Sequence, residues 1–213
     1  MNKKIFFLLL FIPIITFSQV QQDFYVQDVE TIEYLTLSFC VDNEGKTNSV
    51  TIIPENTSYK NNEFIQQVIK YRKGIEYSPN SKLRNNCYES TFNFINHNLK
   101  DKKLTSSECQ KGNEFRKGRF IYKNSRYSDF IIIRRKNIQI EKNKDEKYTY
   151  KIEWLSPCHY TLTYHKVSEK KYEYLIGEII DVKIIDILKD GKYIYKSNLL
   201  DRTILTGMIE KLN

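Results

Sequence analysis

Cysteine has the most definite chemistry of any residue type in this sequence. The chain contains four, at positions 40, 87, 109 and 158. In an exported protein, four cysteines typically form two disulfide bonds. Three pairings are open to them, and two unpaired thiols at Cys40 and Cys87 are the alternative. The elements that carry the cysteines must therefore be placed before a pairing is predicted.

Aromatic residues form a second candidate site. Tyr148, Tyr150 and Trp154 share one face of a predicted strand, and Tyr160 and Tyr164 share one face of the next. In a small barrel, such an aromatic wall is either packed core or the lining of a pocket for one small ligand. Core is the favoured interpretation, and these five residues are the candidate ligand-binding residues.

The motifs of common catalytic and metal sites do not occur in the sequence. It has no Gly-rich phosphate loop, H-E-x-x-H, C-x-x-C or G-x-S-x-G. His159 and His165 share a strand face but lie about 20 Å apart, too far to share a metal. The odd spacing of Asp181 and Asp186 predicts side chains on opposite faces. We therefore expect a protein that is not an enzyme, with no metal and no cofactor.

The first half of the chain predicts a small sheet with one helix. Period-two alternation indicates strands and 3.6-residue spacing indicates a helix, and the predicted elements are Leu35–Val41, a return strand at Val50–Ile52, helix Asn61–Lys73 and strand Cys87–Asn96. Cys40 and Cys87 both fall on polar strand faces. If the first and third strands are antiparallel neighbours, Cys40 lies beside Cys87. Cys109 and Cys158 then remain as the second pair.

Residues 30–98 resemble the TonB C-terminal domain. The features that match are Phe39-x-Val41-Asp42-x-x-Gly45, Val50-x-Ile52, Tyr77-Ser78-Pro79, Phe92 and Phe94. The resemblance implies a β-β-α-β module, predicted over residues 24–100, that contacts protein partners through a sheet edge. That edge is Val50–Ile53 or Cys87–Asn96, depending on the strand order.

The second half, residues 109–213, predicts an antiparallel β-meander. Eight strands are expected, at residues 118–123, 128–134, 137–142, 147–155, 158–165, 176–188, 192–198 and 202–210. Asp190-Gly191 is the strongest hairpin signal between them. The predicted fold class is thus α+β. The meander is expected either to stay an open antiparallel sheet or to close into a lipocalin-like barrel.

This half also resembles a group of small exported bacterial proteins that sometimes carry a topoisomerase IV label. The shared features are Cys109, Phe115, Gly118-x-Phe120, Trp154, Cys158-x-Tyr160-x-Leu162-x-Tyr164 and Leu175-Ile176-Gly177. The chain is too short to supply a DNA gate, and its leader predicts export, so the topoisomerase label is rejected. The resemblance implies no activity.

Residues 1–18 predict a cleaved signal peptide. Lys3 and Lys4 precede a 13-residue apolar run, Ile5–Phe17, which is shorter than the roughly 20 residues of a spanning helix. The mature chain is expected to be periplasmic or secreted and to lack a transmembrane segment.

Positive charge is concentrated in the second half of the chain. The net charge is +8, and residues 109–213 carry 22 Lys and Arg against 14 Asp and Glu. The densest clusters are Arg116–Arg119 and Arg134–Lys136. Export argues against a nucleic-acid partner. The pattern predicts solvated surface, with weak binding of an anionic envelope lipid or polysaccharide as the second interpretation.

These observations together predict a non-catalytic protein-interaction or scaffolding protein of the bacterial envelope, which holds an envelope protein partner along a sheet edge. The alternative is a small-ligand carrier that uses a barrel cavity in the second half.

Overall fold

The structure, a computed structural model, describes residues 22–123, 127–199 and 203–212. These residues form a four-stranded mixed sheet with one helix, followed by a closed barrel of eight antiparallel strands. The predictions of a β-rich chain and a barrel are confirmed, whereas the TonB-like and lipocalin-like descriptions stay predictions. The predicted signal peptide lies outside the described residues. No helix in the described ranges has the length and apolar character needed to cross a membrane.

The first unit contains a strand that the sequence did not predict. Its elements are β1 (Gln22–Val26), β2 (Ile32–Val41), β3 (Thr47–Ile52), α1 (Asn62–Lys73) and β4 (Asn86–Asn96). The strand order is β1-β4-β2-β3. Strand β1 runs parallel to β4, and the other pairs are antiparallel.

One face of this sheet packs against α1. The side chains of Leu35 and Leu37 are completely buried there, together with Ile65 and Val68 of the helix. The helix begins at Asn62, one residue later than predicted, because the Asn61 side chain accepts a hydrogen bond from the Phe64 amide and caps the first turn. Alternation in the strands and helical spacing in α1 therefore direct the same apolar residues into one core.

The β2–β3 turn requires a glycine. Gly45 has a φ of +87°, and a Cβ at this position would overlap the carbonyl oxygen of Tyr77. The Gly45 carbonyl also accepts a 2.8 Å hydrogen bond from the Tyr77 amide. The hairpin is thereby tied to the segment that follows α1.

The second unit is an up-and-down barrel preceded by a short helix, α2 (Ser106–Gln110). Its strands are β5 (Gly118–Tyr122), β6 (Ile131–Arg135), β7 (Ile138–Lys142), β8 (Lys147–Ser156), β9 (His159–Val167), β10 (Ile179–Ile187), β11 (Lys192–Leu199) and β12 (Thr203–Leu212). Each strand pairs with the next, and β12 closes the barrel on β5. The β10–β11 hairpin turns at Asp190 and Gly191, which both have positive φ, at 62° and 69°.

A β-bulge in β10 changes which residues face outward. Ile184 pairs with Tyr195, but Asp186 pairs with Ile194, so Ile185 is an extra residue. After the bulge, Asp186 lies on the outer face of the barrel, as Asp181 does. The prediction that these two carboxylates face opposite ways is therefore wrong, because an inserted residue reverses the strand alternation.

The two units pack together along a contact that we call the seam. It joins the outer face of β10–β12 to the sheet face that points away from α1, through Ile32, Tyr34, Ile95, Leu99, Ile185, Ile194 and Met208. The Asn93 side chain donates a 3.3 Å hydrogen bond to the Thr206 carbonyl across it. Asn93 lies on the same polar face of β4 as Cys87 but is 0% exposed, because the barrel covers it. Alternation defines the two faces of a strand but not what covers them.

Candidate functional site

Both predicted cysteine pairs are bonded in the structure. Cys40 stands directly opposite Cys87 in the antiparallel β2–β4 ladder, and the two form a disulfide bond. Cys109, in α2, is bonded to Cys158, at the turn before β9. Two disulfide bonds indicate that the protein occupies a compartment outside the cytoplasm, because the cytoplasm keeps thiols reduced.

The five candidate aromatic residues all lie in the barrel interior. Tyr150 and Tyr160 are buried in the main core cluster, and Tyr148, Trp154 and Tyr164 pack against it half-buried. The ring centroids of Tyr150 and Tyr164 are 4.7 Å apart, and those of Trp154 and Tyr160 are 4.5 Å apart. Such contacts are typical of packed aromatic core. The carrier hypothesis stays a prediction, and this packing favours the core interpretation.

Arg134 is the interior residue that the sequence analysis placed wrongly. It was assigned to a solvated basic cluster, but its side chain is 2% exposed and lies inside the barrel. The signal was the alternation of β6, in which Ile132 and Arg134 point inward and Arg135 is exposed. A strand's period places a residue on a face whatever its charge, so Arg134 follows Ile132 into the core.

All three nitrogens of the Arg134 guanidinium donate hydrogen bonds to interior acceptors. Its Nη2 donates to the hydroxyls of Tyr160 at 2.8 Å and Tyr193 at 2.7 Å. Its Nε donates to Oε1 of Gln139 at 2.6 Å, and its Nη1 to the Phe115 carbonyl at 3.2 Å. A buried charge is tolerated only when its donors are satisfied in this way.

Gln139 relays this network to a buried carboxylate. Its Nε2 donates to Oε1 of Glu141 at 2.5 Å, and the Tyr122 hydroxyl donates to the same oxygen at 2.8 Å. Burial raises the pKa of Glu141, although these hydrogen bonds and the charge of Arg134 act in the opposite direction. We call Arg134, Gln139, Glu141, Tyr160 and Tyr193 the interior network. Its bonds join one interior group to another, which indicates a structural role.

The raised pKa of Glu141 predicts a pH-dependent stability. Because the folded state holds this proton more tightly than the unfolded chain does, the native state loses stability as pH rises from the usual carboxyl pKa of about 4.3 through the raised value. The Glu141→Gln variant lacks this titration. We expect its free energy of unfolding, relative to the wild type, to increase between pH 4 and pH 7 in urea titrations. The exposed Glu153→Gln variant is the control, and a Glu141→Gln difference that does not change with pH would contradict the prediction.

The histidine with a defined partner lies on the outer face of the barrel. His159 Nε2 is 2.5 Å from Oδ1 of Asp181, which lies on the neighbouring strand. Across the described ranges, no three His, Cys, Asp or Glu side chains are grouped so that they could hold a metal ion. The pair is a surface hydrogen bond between β9 and β10.

A groove of about 640 Å³ lies beside the seam, where the connection between the two units crosses the barrel. We call it the seam groove. Its rim carries five lysines, at positions 100, 102, 103, 183 and 196. Asp101 and His159 also line it, and its apolar surface comes from Leu104, Ile184, Ile185 and the Cys109–Cys158 bond. Sequence reasoning did not identify this site, because its residues come from separate strands and a linker.

The two segments predicted as sheet edges, Val50–Ile53 and Cys87–Asn96, differ in how they are paired in the sheet. Strand β4 is an inner strand, with β2 on one side and β1 along Phe92–Asn96 on the other. Strand β3 is an outer strand, paired on one side with β2. Val50–Ile53 therefore lies on an outer strand, whereas Cys87–Asn96 is paired on both sides along Phe92–Asn96.

Comparisons with known proteins give no relative for this chain. A scan against protein-family models finds no match, and searches of the curated proteins and of the solved structures find no similar chain.

Proposed function

We propose that this chain is an exported, non-catalytic binding or scaffolding protein of the bacterial envelope, periplasmic or secreted, which holds a protein partner along strand β3. The observation that carries the proposal is the position of β3 at the outer edge of the sheet. The two disulfide bonds support export. The sequence resemblance to the TonB C-terminal domain supports partner binding through a sheet edge.

The backbone of β3 offers the groups that strand addition needs. The Ile53 amide donates a 2.9 Å hydrogen bond inward to the Thr36 carbonyl. Because N–H groups alternate along a strand, the amides of Val50 and Ile52 point outward. The irregularity around Ser49, which has a φ of 50°, limits the regular edge to the residues after it. A partner strand would therefore pair with a short segment, Val50–Ile53.

Proline at position 52 tests the contact. The Ile52→Pro variant loses the outward amide but keeps the inward hydrogen bonds, and proline is tolerated on edge strands. The Ile52→Thr variant is the matched control, since it removes the same side chain but keeps the amide. We expect a partner isolated with wild-type protein from envelope extract, then purified, to bind Ile52→Thr about as tightly as wild type. We expect its affinity for Ile52→Pro to fall by about tenfold, the equivalent of one or two backbone hydrogen bonds.

Hydrogen exchange gives a readout that does not depend on a variant. Strand addition should slow exchange of the Val50 and Ile52 amides when the purified partner is added. Full binding by Ile52→Pro, or unchanged exchange at both amides, would refute the β3 contact.

A further inference from the structure

The seam groove contains two lysine side chains that the fold brings face to face in one row. Lys183 of β10 stands directly opposite Lys196 of β11, and His159 is its partner on β9. Like charges at directly opposed positions of a sheet destabilise it. The Asp181 carboxylate offsets this only in part, because one oxygen contacts His159 and the other is 3.9 Å from the Lys183 ammonium. An anion placed over the row would relieve the repulsion.

Further contacts hold Lys196 and Lys100 at the groove. The ammonium of Lys196 donates a hydrogen bond to the Lys100 carbonyl. It also lies 5.5 Å from the centre of the Tyr25 ring, and the Lys100 ammonium lies 5.9 Å from the same ring. One aromatic ring of β1 thus holds two cations from different elements. The groove region is thus assembled from both units.

Carboxylates compensate only part of the rim. Of the five groove lysines, Lys102 and Lys183 have a carboxylate oxygen within 4.0 Å in the described ranges, and the Lys102 ammonium is 2.7 Å from Asp186. Lys100, Lys103 and Lys196 form no such ion pair there. Asp101 is the one acidic residue in the lining. The rim therefore keeps a net positive charge.

The surface beneath this rim is mostly apolar. Leu104 packs against the barrel core, and Ile185 belongs to the seam cluster, where it is 7% exposed. The Cys109–Cys158 bond completes the floor. A free inorganic anion or a charged polysaccharide would leave this apolar surface wet, whereas an amphiphile covers it. The volume of about 640 Å³ lies within the usual range for small-molecule sites.

We propose that the seam groove binds a lipid phosphate headgroup, with the phosphate over Lys183 and Lys196 and the first carbons of the chain against Leu104 and Ile185. This site is separate from the β3 contact, so either proposal can fail without the other. Two of the five groove lysines, Lys183 and Lys196, come from the second half of the chain, and the other three come from the segment that precedes it.

Calorimetric titration with a single-chain phosphate monoester, octanoyl lysophosphatidate below its micelle concentration, tests the site. We expect saturable binding to wild-type protein, and affinity weaker by about tenfold or more for Lys183→Gln/Lys196→Gln, since charge-assisted hydrogen bonds to the phosphate are lost. The Lys183 side chain is 62% exposed. The single variant Lys183→Gln should therefore keep the fold and show part of this loss of affinity. Lys151→Gln, which removes an exposed lysine from the outer face of β8, should bind like the wild type.

Two further ligands separate the headgroup from the chain. Inorganic phosphate should bind at least tenfold more weakly than the lysophosphatidate, because it leaves the apolar floor uncovered, and octyl glucoside should bind more weakly because it lacks charge. Absence of lysophosphatidate binding would overturn the proposal. So would an equal loss in Lys151→Gln, or equal affinity for inorganic phosphate or for octyl glucoside.

Discussion

The Arg134→Ala variant is expected to unfold with a free energy about 3–5 kcal/mol lower than that of the wild type, the usual cost of removing one partner from a buried ionic network. The change leaves the hydroxyls of Tyr160 and Tyr193 and the amide oxygen of Gln139 without their cationic donor. It also leaves the Glu141 carboxylate as a buried charge with no counterion. Urea unfolding of the oxidised protein, followed by tryptophan fluorescence, measures the loss.

The neighbouring arginine is the matched control. Arg135 belongs to the same strand but is exposed, so Arg135→Ala should change the free energy of unfolding by no more than about 0.5 kcal/mol. An equal effect of the two substitutions would show that the guanidinium of Arg134 is not buried in the barrel.

A double variant separates charge from packing. Arg134→Met/Glu141→Gln removes both buried charges while keeping side chains of similar volume. Its loss of unfolding free energy should be smaller than the sum of the losses in the Arg134→Met and Glu141→Gln single variants, because the double variant leaves neither charge alone in the core. Additive costs would contradict the coupling of Arg134 to Glu141 through Gln139.

Removal of either disulfide bond is the second large effect that we expect. The bonds close loops with sequence separations of 47 and 49 residues. On the chain-entropy model, each should contribute about 4 kcal/mol by restricting the unfolded chain. The Cys40→Ser/Cys87→Ser and Cys109→Ser/Cys158→Ser variants should therefore lose similar amounts in urea titrations. Ser38→Ala, a change on the same face of β2 as Cys40, is the control and should cost less than about 1 kcal/mol.

Peptide mapping without reduction checks the pairing directly. It should recover Cys40 linked to Cys87 and Cys109 linked to Cys158. Under native conditions, dithiothreitol should reduce the Cys40–Cys87 bond first, because Cys87 is exposed and Cys158 is 8% exposed. Free thiols throughout, or a bond that joins the two units, would contradict the structure.

The strands, the strand faces of the cysteines and the hairpin were predictable because their signals are local. Alternation in β2 and β4 placed Cys40 and Cys87 on one face, and the antiparallel ladder then set them opposite each other. Asp190-Gly191 marked a hairpin because few residue pairs adopt two consecutive positive φ angles. These features depend on neighbours in the sequence and need no knowledge of the rest of the chain.

Strand β1 was missed for the opposite reason. Gln22–Val26 is short, and it is a strand because it pairs with Phe92–Asn96, about 70 residues further along the chain. The bulge at Ile185 was missed because it depends on how β10 pairs with β11. Both features are set by a distant partner, which composition and periodicity do not report.

The burial of Arg134 was only partly predictable from local sequence pattern. The alternation of β6 was sufficient to point this side chain inward, but the basic residues beside it in the sequence favoured a solvated surface. The acceptors that make its burial tolerable come from β7, β9, β11 and the Phe115 carbonyl. No single segment of the chain contains enough of them to outweigh the cost of desolvating a charge.

Local pattern was thus enough to establish a β-rich chain with eight barrel strands, helix α1 and four cysteines in pairing positions, because side-chain period, capping and turn chemistry act over a few residues. Tertiary packing alone determined the closure of the barrel, the burial of Arg134, the seam and the lysine-lined groove beside it. Each of these depends on groups far apart in the chain, whose mutual burial and charge are defined only once the two units have folded against each other.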